Sequence, residues 1–123
     1  MPAMQPVDFS LLADAIRQVE EVKGRPWGRH GELGPYQYTR EAWEEDMGDL
    51  PFALAAGETA SRAAALLRLK RLARMFTERR ESVTVYKLAM AWNAGFNTAM
   101  LSSFAPQEVK DYAIRVENLY IGR

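Results

Sequence analysis

The chain contains no cysteine. This excludes disulfides, thiolate nucleophiles and thiolate metal sites together, and leaves the compartment open, because many exported bacterial proteins lack disulfides. Histidine is almost as scarce, with His30 the one present in 123 residues. Without a histidine pair, cysteine ligands or an acidic calcium loop, no metal and no other cofactor is expected, and a Ser-His-Asp triad would have only His30 to draw on. In a loop beside Arg29, His30 is read as solvent-facing. An excess of one charge is missing too. Sixteen basic and sixteen acidic side chains cancel, so no whole-molecule field draws the protein to nucleic acid or to an anionic membrane. The opening stretch MPAMQPVDFSLLADAI has no basic region followed by a long apolar run. Neither a secretory signal nor a membrane span is expected from it, so the protein stays where it is made or has had a signal trimmed away.

What the chain does have is ordinary globular material, 48% hydrophobic and 26% charged, enough for one core and one domain over 1–123. The pattern is mainly helical. After Asp8 or Ser10 as a cap, Leu11, Leu12, Ala15, Ile16 and Val19 recur at helical spacing up to about Val22. Thr39 caps a short helix with Ala42 and Trp43, closed by Gly48 and Pro51. The longest pattern runs from Thr59 to about Arg80, with Leu66, Leu69, Ala73 and Phe76 on its buried face. Another helix runs from Ser82 through Trp92 and stops at Asn93-Ala94-Gly95. Pro106 opens the last, with Val109, Tyr112, Ala113, Val116, Leu119 and Tyr120 in register. No repeat, low-complexity tail or strand pair stands out.

One segment breaks the helical pattern. Lys23 to Tyr38 holds Gly24, Pro26, Gly28, Gly31, Gly34 and Pro35, too many breakers for a helix or a central strand. A long loop or a small irregular hairpin is predicted there. Just before it, Glu20 lies beside Ile16 on the helical wheel, at the rim of the apolar face, whereas Glu21 points away. A carboxyl at the border of a core is partly desolvated, which raises its pKa toward the range useful to a general acid.

Four elements then follow one another in order: Val19-Glu20, Gly31-Glu32-Leu33-Gly34-Pro35-Tyr36-Gln37, Ala91-Trp92-Asn93-Ala94-Gly95 and Tyr112-Ala113-Ile114-Arg115-Val116. The series resembles the lysozyme-like superfamily, in particular soluble lytic transglycosylases and phage-type and goose-type muramidases, over about Leu11 to Leu119. The resemblance implies a compact lysozyme-like helical domain that cleaves peptidoglycan between N-acetylmuramic acid and N-acetylglucosamine. It implies Glu20 as the catalytic acid and base, and Gly34, Tyr36, Gln37, Trp92, Asn93 and Tyr112 as substrate-binding or positioning residues. Gly34 would let the backbone approach a sugar closely, the Gln37 and Asn93 amides would meet N-acetyl and hydroxyl groups, and Tyr112 would orient the acid.

The sequence departs from the family pattern at Glu21, at Pro35-Tyr36 and at Trp92. Glu32, in the cleft loop, is a candidate second carboxylate. With it, water could be activated and hydrolysis would follow; with Glu20 alone, the substrate's own hydroxyl or acetamido group would give an anhydro sugar. Trp27 and Trp43 are read either as sugar-stacking platforms or as hydrophobic plugs. Two other functions remain open: a catalytically silent module that binds glycan or protein, and a helical nucleic-acid-binding domain using the Arg62 to Arg80 segment with Lys70, Arg71 and Arg74. A location in the cell envelope or outside the cell follows from the resemblance if a signal was removed, and a cytoplasmic one until release if the chain is of phage type.

Overall fold

Two of the helix starts expected from the sequence, at Asp8 and Thr39, are the ones the backbone uses. In the computed structural model, which describes residues 6–21, 28 and 30–122, the side chains of Asp8, Thr39 and Thr84 accept bonds from Leu11, Ala42 and Lys87 backbone N–H, each at 3.1 Å. These bonds satisfy donors that the first turn of a helix leaves without partners. They open α1 (Phe9–Glu20), α2 (Arg40–Met47) and α4 (Val85–Ala94). The long α3 is Glu58–Glu78, α5 is Phe96–Met100 and α6 is Gln107–Ile121, entered from Pro106. Short 3₁₀ turns occupy Phe52–Ala56 and Ser102–Phe104.

The protein is mainly helical, and no strand is present among the described residues. The structure differs from the sequence reading most around α4. Helix α4 starts from Thr84 rather than Ser82 and runs through Asn93 and Ala94, so the Asn-Ala-Gly element forms its last turn. Gly95, at φ +98°, then turns the chain directly into α5, a five-residue helix too short to leave a periodic signature. The 3₁₀ turn at Phe52–Ala56 escaped the sequence reading for the same reason.

Helix α6 packs against both α1 and α4, while α3 lies against α1, α2, α4 and the Phe52–Ala56 turn. Leu12 and Ile16 of α1, Leu69 and Phe76 of α3, Leu88 and Met90 of α4 and Val116 of α6 are buried together. Each such side chain contributes roughly 1.5–3 kcal/mol by leaving water. Trp43 of α2 is also fully buried, its ring edge-on to Tyr38 and its indole N–H donated to the Leu50 carbonyl at 2.9 Å. That corrects the platform reading of Trp43: it is a plug in the core. Trp27 lies outside the described residues. Among those residues no helix is long and apolar enough to cross a membrane.

Of the breaker-rich segment, residues 28 and 30–38 are described. Leu33 and Tyr38 exchange two backbone hydrogen bonds, at 2.9 and 3.0 Å, and close a minimal hairpin whose turn is Gly34 to Gln37. Gly34 sits in this turn at φ +80° with its Cα pressed on the 3₁₀ turn: a Cβ there would lie 1.8 Å from the Ala55 carbonyl oxygen. Glycine is therefore required by the protein's own packing. A role for Gly34 in approaching a sugar is not what its position provides.

The contrast with Gly31, which has φ +83° and open space around it, isolates the cost of that contact. Gly34→Ala is expected to destabilise the fold by 3 kcal/mol or more, a backbone clash added to an unfavourable φ, whereas Gly31→Ala costs about 1–2 kcal/mol for φ alone. Urea denaturation midpoints of the two variants measure the difference.

Candidate functional site

Helix α1 ends at the mouth of a cleft. Glu20, its last residue, projects into a hollow of about 350 Å³ lined also by Glu32, Tyr36, Gln37, Trp92 and Asn93. One wall comes from the end of α1, a second from the hairpin and a third from the last turn of α4. Three chain segments far apart in sequence thus present a carboxyl and two amides to one space. Glu21, the next residue, is exposed, as helix phase predicted.

The Glu20 carboxyl is largely buried and accepts a 2.7 Å hydrogen bond from the Tyr112 hydroxyl, which α6 brings from 92 positions away. Burial raises the Glu20 pKa above the ordinary carboxyl value, and the negative charge of Glu32 adds to the rise. The Tyr112 and Trp92 donors and the charge of Arg115 favour the anion and offset part of it. Burial likewise holds the Tyr112 hydroxyl well above its ordinary pKa, so it remains a proton donor to Glu20. Tyr112 does not line the Glu20 cleft. It faces an adjoining hollow shared with Asn93, Glu108 and Arg115, and acts on the cleft by positioning Glu20.

The two amides are held differently. Gln37 has φ +51°, and its side-chain Nε2 donates to the Gly34 carbonyl at 2.8 Å across the turn, leaving Oε1 as the group directed elsewhere. Asn93 is exposed at the α4 terminus. Tyr36 and Tyr38 meet the Trp92 ring edge-on at 6.2 and 5.7 Å between centroids, so the aromatic wall is built from both sides. Glu32 is tied by a 2.9 Å bond from the His30 backbone N–H to its Oε1, and His30 itself is exposed.

Arg68 of α3, absent from the candidate set, also lines the cleft. Its Nε donates to Asp46 Oδ2 at 2.7 Å, the Tyr38 hydroxyl reaches the same oxygen at 2.8 Å, and Arg71 takes Oδ1 at 2.7 Å. The Asp46 side chain is fully removed from solvent. Three donors on one buried carboxylate lock α2, α3 and the hairpin together behind the cleft wall. The sequence carried a signal for this: Arg68 is four residues from both Ala64 and Leu72 and three from Ala65, all buried, so an arginine occupies a core phase of α3. Arg71 is occupied by this network, while Lys70 and Arg74 are exposed on the same helix.

The chain matches no family model, no curated protein and no solved structure.

Because the folded chain binds the Glu20 proton more tightly than the unfolded chain does, the group favours folding below the ordinary carboxyl pKa of about 4.3, and that contribution is lost as pH rises through the raised value. A neutral glutamine that keeps an acceptor for Tyr112 escapes the loss. Glu20→Gln is therefore expected to melt at about the wild-type temperature near pH 4 and above it near pH 7, as measured by calorimetric midpoints across that range.

Proposed function

We propose that the chain is a lysozyme-like enzyme that cleaves the glycan strand of peptidoglycan between N-acetylmuramic acid and N-acetylglucosamine. The observation that carries this reading is the Glu20 carboxyl, raised in pKa at the edge of the core, held by Tyr112 and facing Gln37 and Asn93 across one cleft. Support also comes from the order of the four sequence elements, three of which meet in that cleft, while the fourth supplies Tyr112.

A carboxyl kept neutral at the operating pH has a proton to give. Glu20 protonates the glycosidic oxygen as the bond to the anomeric carbon breaks, and the resulting carboxylate then accepts a proton in the second step. Tyr112 holds Oε2 through a hydrogen bond that strengthens as negative charge appears on it, and so fixes which oxygen faces the ligand. The Trp92 ring, backed by the buried rings of Tyr36 and Tyr38, offers an apolar surface to a pyranose, while the Gln37 and Asn93 amides address its acetamido and hydroxyl groups.

Glu32 shares the cleft, and its charge is felt at Glu20. This favours hydrolysis: a second carboxylate accepts a proton from the attacking water, so that a reducing sugar forms in place of an anhydro sugar.

Clearance of purified cell-wall sacculi tests the reading. Wild type is expected to lower turbidity, and Glu20→Gln to lose at least about a hundredfold in rate, the scale of a lost general acid. No clearance by wild type would instead favour a binding module. Mass spectrometry of the products checks Glu32: reducing ends are expected from wild type, and Glu32→Gln should slow their formation by roughly tenfold or more or shift the products to anhydro ends.

A further inference from the structure

Arg68 is held in the cleft wall with part of its guanidinium unspent. Its Nε is given to Asp46, and Nη2 lies 3.4 Å from the Ala42 carbonyl and 3.7 Å from Glu45. Among the described residues Nη1 meets no acceptor. Among the described residues no buried side-chain nitrogen or oxygen lacks a partner, so Nη1 is not sealed inside the protein. Arg68 lines the cleft.

Arg68 brings a cation to a cleft that also holds the acids Glu20 and Glu32. Arg68 and Arg71 both bind the single buried carboxylate of Asp46, while Glu45, the other acid in reach, is 64% exposed and so largely screened by water. The guanidinium carbon stands 6.0 Å from the centre of the Trp92 ring, and that same indole borders Glu20. Glu20, Trp92 and Arg68 therefore border one space.

We propose that Arg68 recognises a free carboxylate on the glycan occupying this cleft, so that the chain selects peptide-free strands whose muramic acid lactyl groups are ionised. This rests on the glycan reading of the site. A neutral N-acetylated glycan offers hydroxyl and acetamido groups only. Muramic acid adds a lactyl carboxyl, which is an anion when free and a bulkier neutral amide when a peptide is attached. The terminal N–H groups of a preorganised guanidinium suit the anion, with charge-assisted hydrogen bonds that the amide and the neutral sugar cannot match. Asp46 supplies the preorganisation by fixing the guanidinium before any ligand arrives.

Calorimetric titration of the Glu20→Gln protein separates recognition from cleavage. The ligands are a peptide-free tetrasaccharide of alternating N-acetylglucosamine and N-acetylmuramic acid, the same tetrasaccharide with its lactyl carboxyls reduced to alcohols, and the same with alanine amides in their place. The acid is expected to bind roughly ten- to a hundredfold more tightly than either neutral form, with a preference that shrinks at 0.5 M salt. Adding Arg68→Gln is expected to abolish the preference. Should that variant fail to fold, the Arg68 side-chain N–H resonances of the Glu20→Gln protein carry the assignment, shifted by the acid and not by the alcohol. Equal binding of acid and alcohol overturns the proposal and leaves the glycan reading standing, as does a preference that survives in folded Arg68→Gln or resonances that do not move. Binding of none of the three overturns both.

Discussion

The cleft depends on a carboxylate that never meets water. Asp46 is withdrawn completely from solvent, and its two oxygens are shared among the Tyr38 hydroxyl and the guanidinium groups of Arg68 and Arg71. Removing one partner from such a buried group costs about 3–5 kcal/mol, because the charge left behind has nowhere to turn. The tie joins α2 to α3 and both to Tyr38, the residue that closes the hairpin on Leu33. Tyr38 in turn backs the Trp92 ring, so the position of the aromatic wall descends from this single anion. The net strength of an ion pair matters less here than its directionality: each donor has one place to be.

Glu20 shows what the same chemical group becomes with fewer partners. Among the described residues it accepts the Tyr112 hydroxyl and forms no salt bridge, and burial raises its proton affinity. The contrast between the two acids follows from their neighbours alone. Where three donors converge, the carboxylate serves as a structural joint. Where burial outweighs the donors beside an opening, the carboxyl holds its proton more tightly, the property on which the proposed glycan cleavage depends.

Much of this was legible in the sequence, and the parts that were not share a cause. Helix phase placed Glu20 beside Ile16 and turned Glu21 outward, because both statements depend on neighbours within one turn. Capping chemistry located α1 and α2 through Asp8 and Thr39 for the same reason. Gly34 was read as a close approach to a sugar, whereas the object it touches, the Ala55 carbonyl, lies on a 3₁₀ turn with no periodic trace in the sequence. Trp43 was ambiguous until the fold placed Leu50 and Tyr38 around it. The pairing of Tyr112 with Glu20 spans nearly the whole chain, and resemblance rather than local pattern suggested it. Arg68 was hidden in a helix rich in arginine and lysine; only its core phase, between Ala64 and Leu72, set it apart from Lys70 and Arg74.

The place of Glu20 at the last residue of α1 has an electrical meaning. Carbonyl oxygens of the final turn point along the axis toward it, and the sum of their peptide dipoles puts a partial negative charge at that terminus. A negative pole discourages a second negative charge, so winding and acidity are linked. Were the closing bond from the Glu21 amide to the Arg17 carbonyl, 2.9 Å long, to open, the pole would disperse and water would reach the carboxyl. The residue would then hold its proton less tightly, as burial is the largest cause of the raised affinity. Proton affinity at this one position therefore reports on whether the end of the first helix is wound.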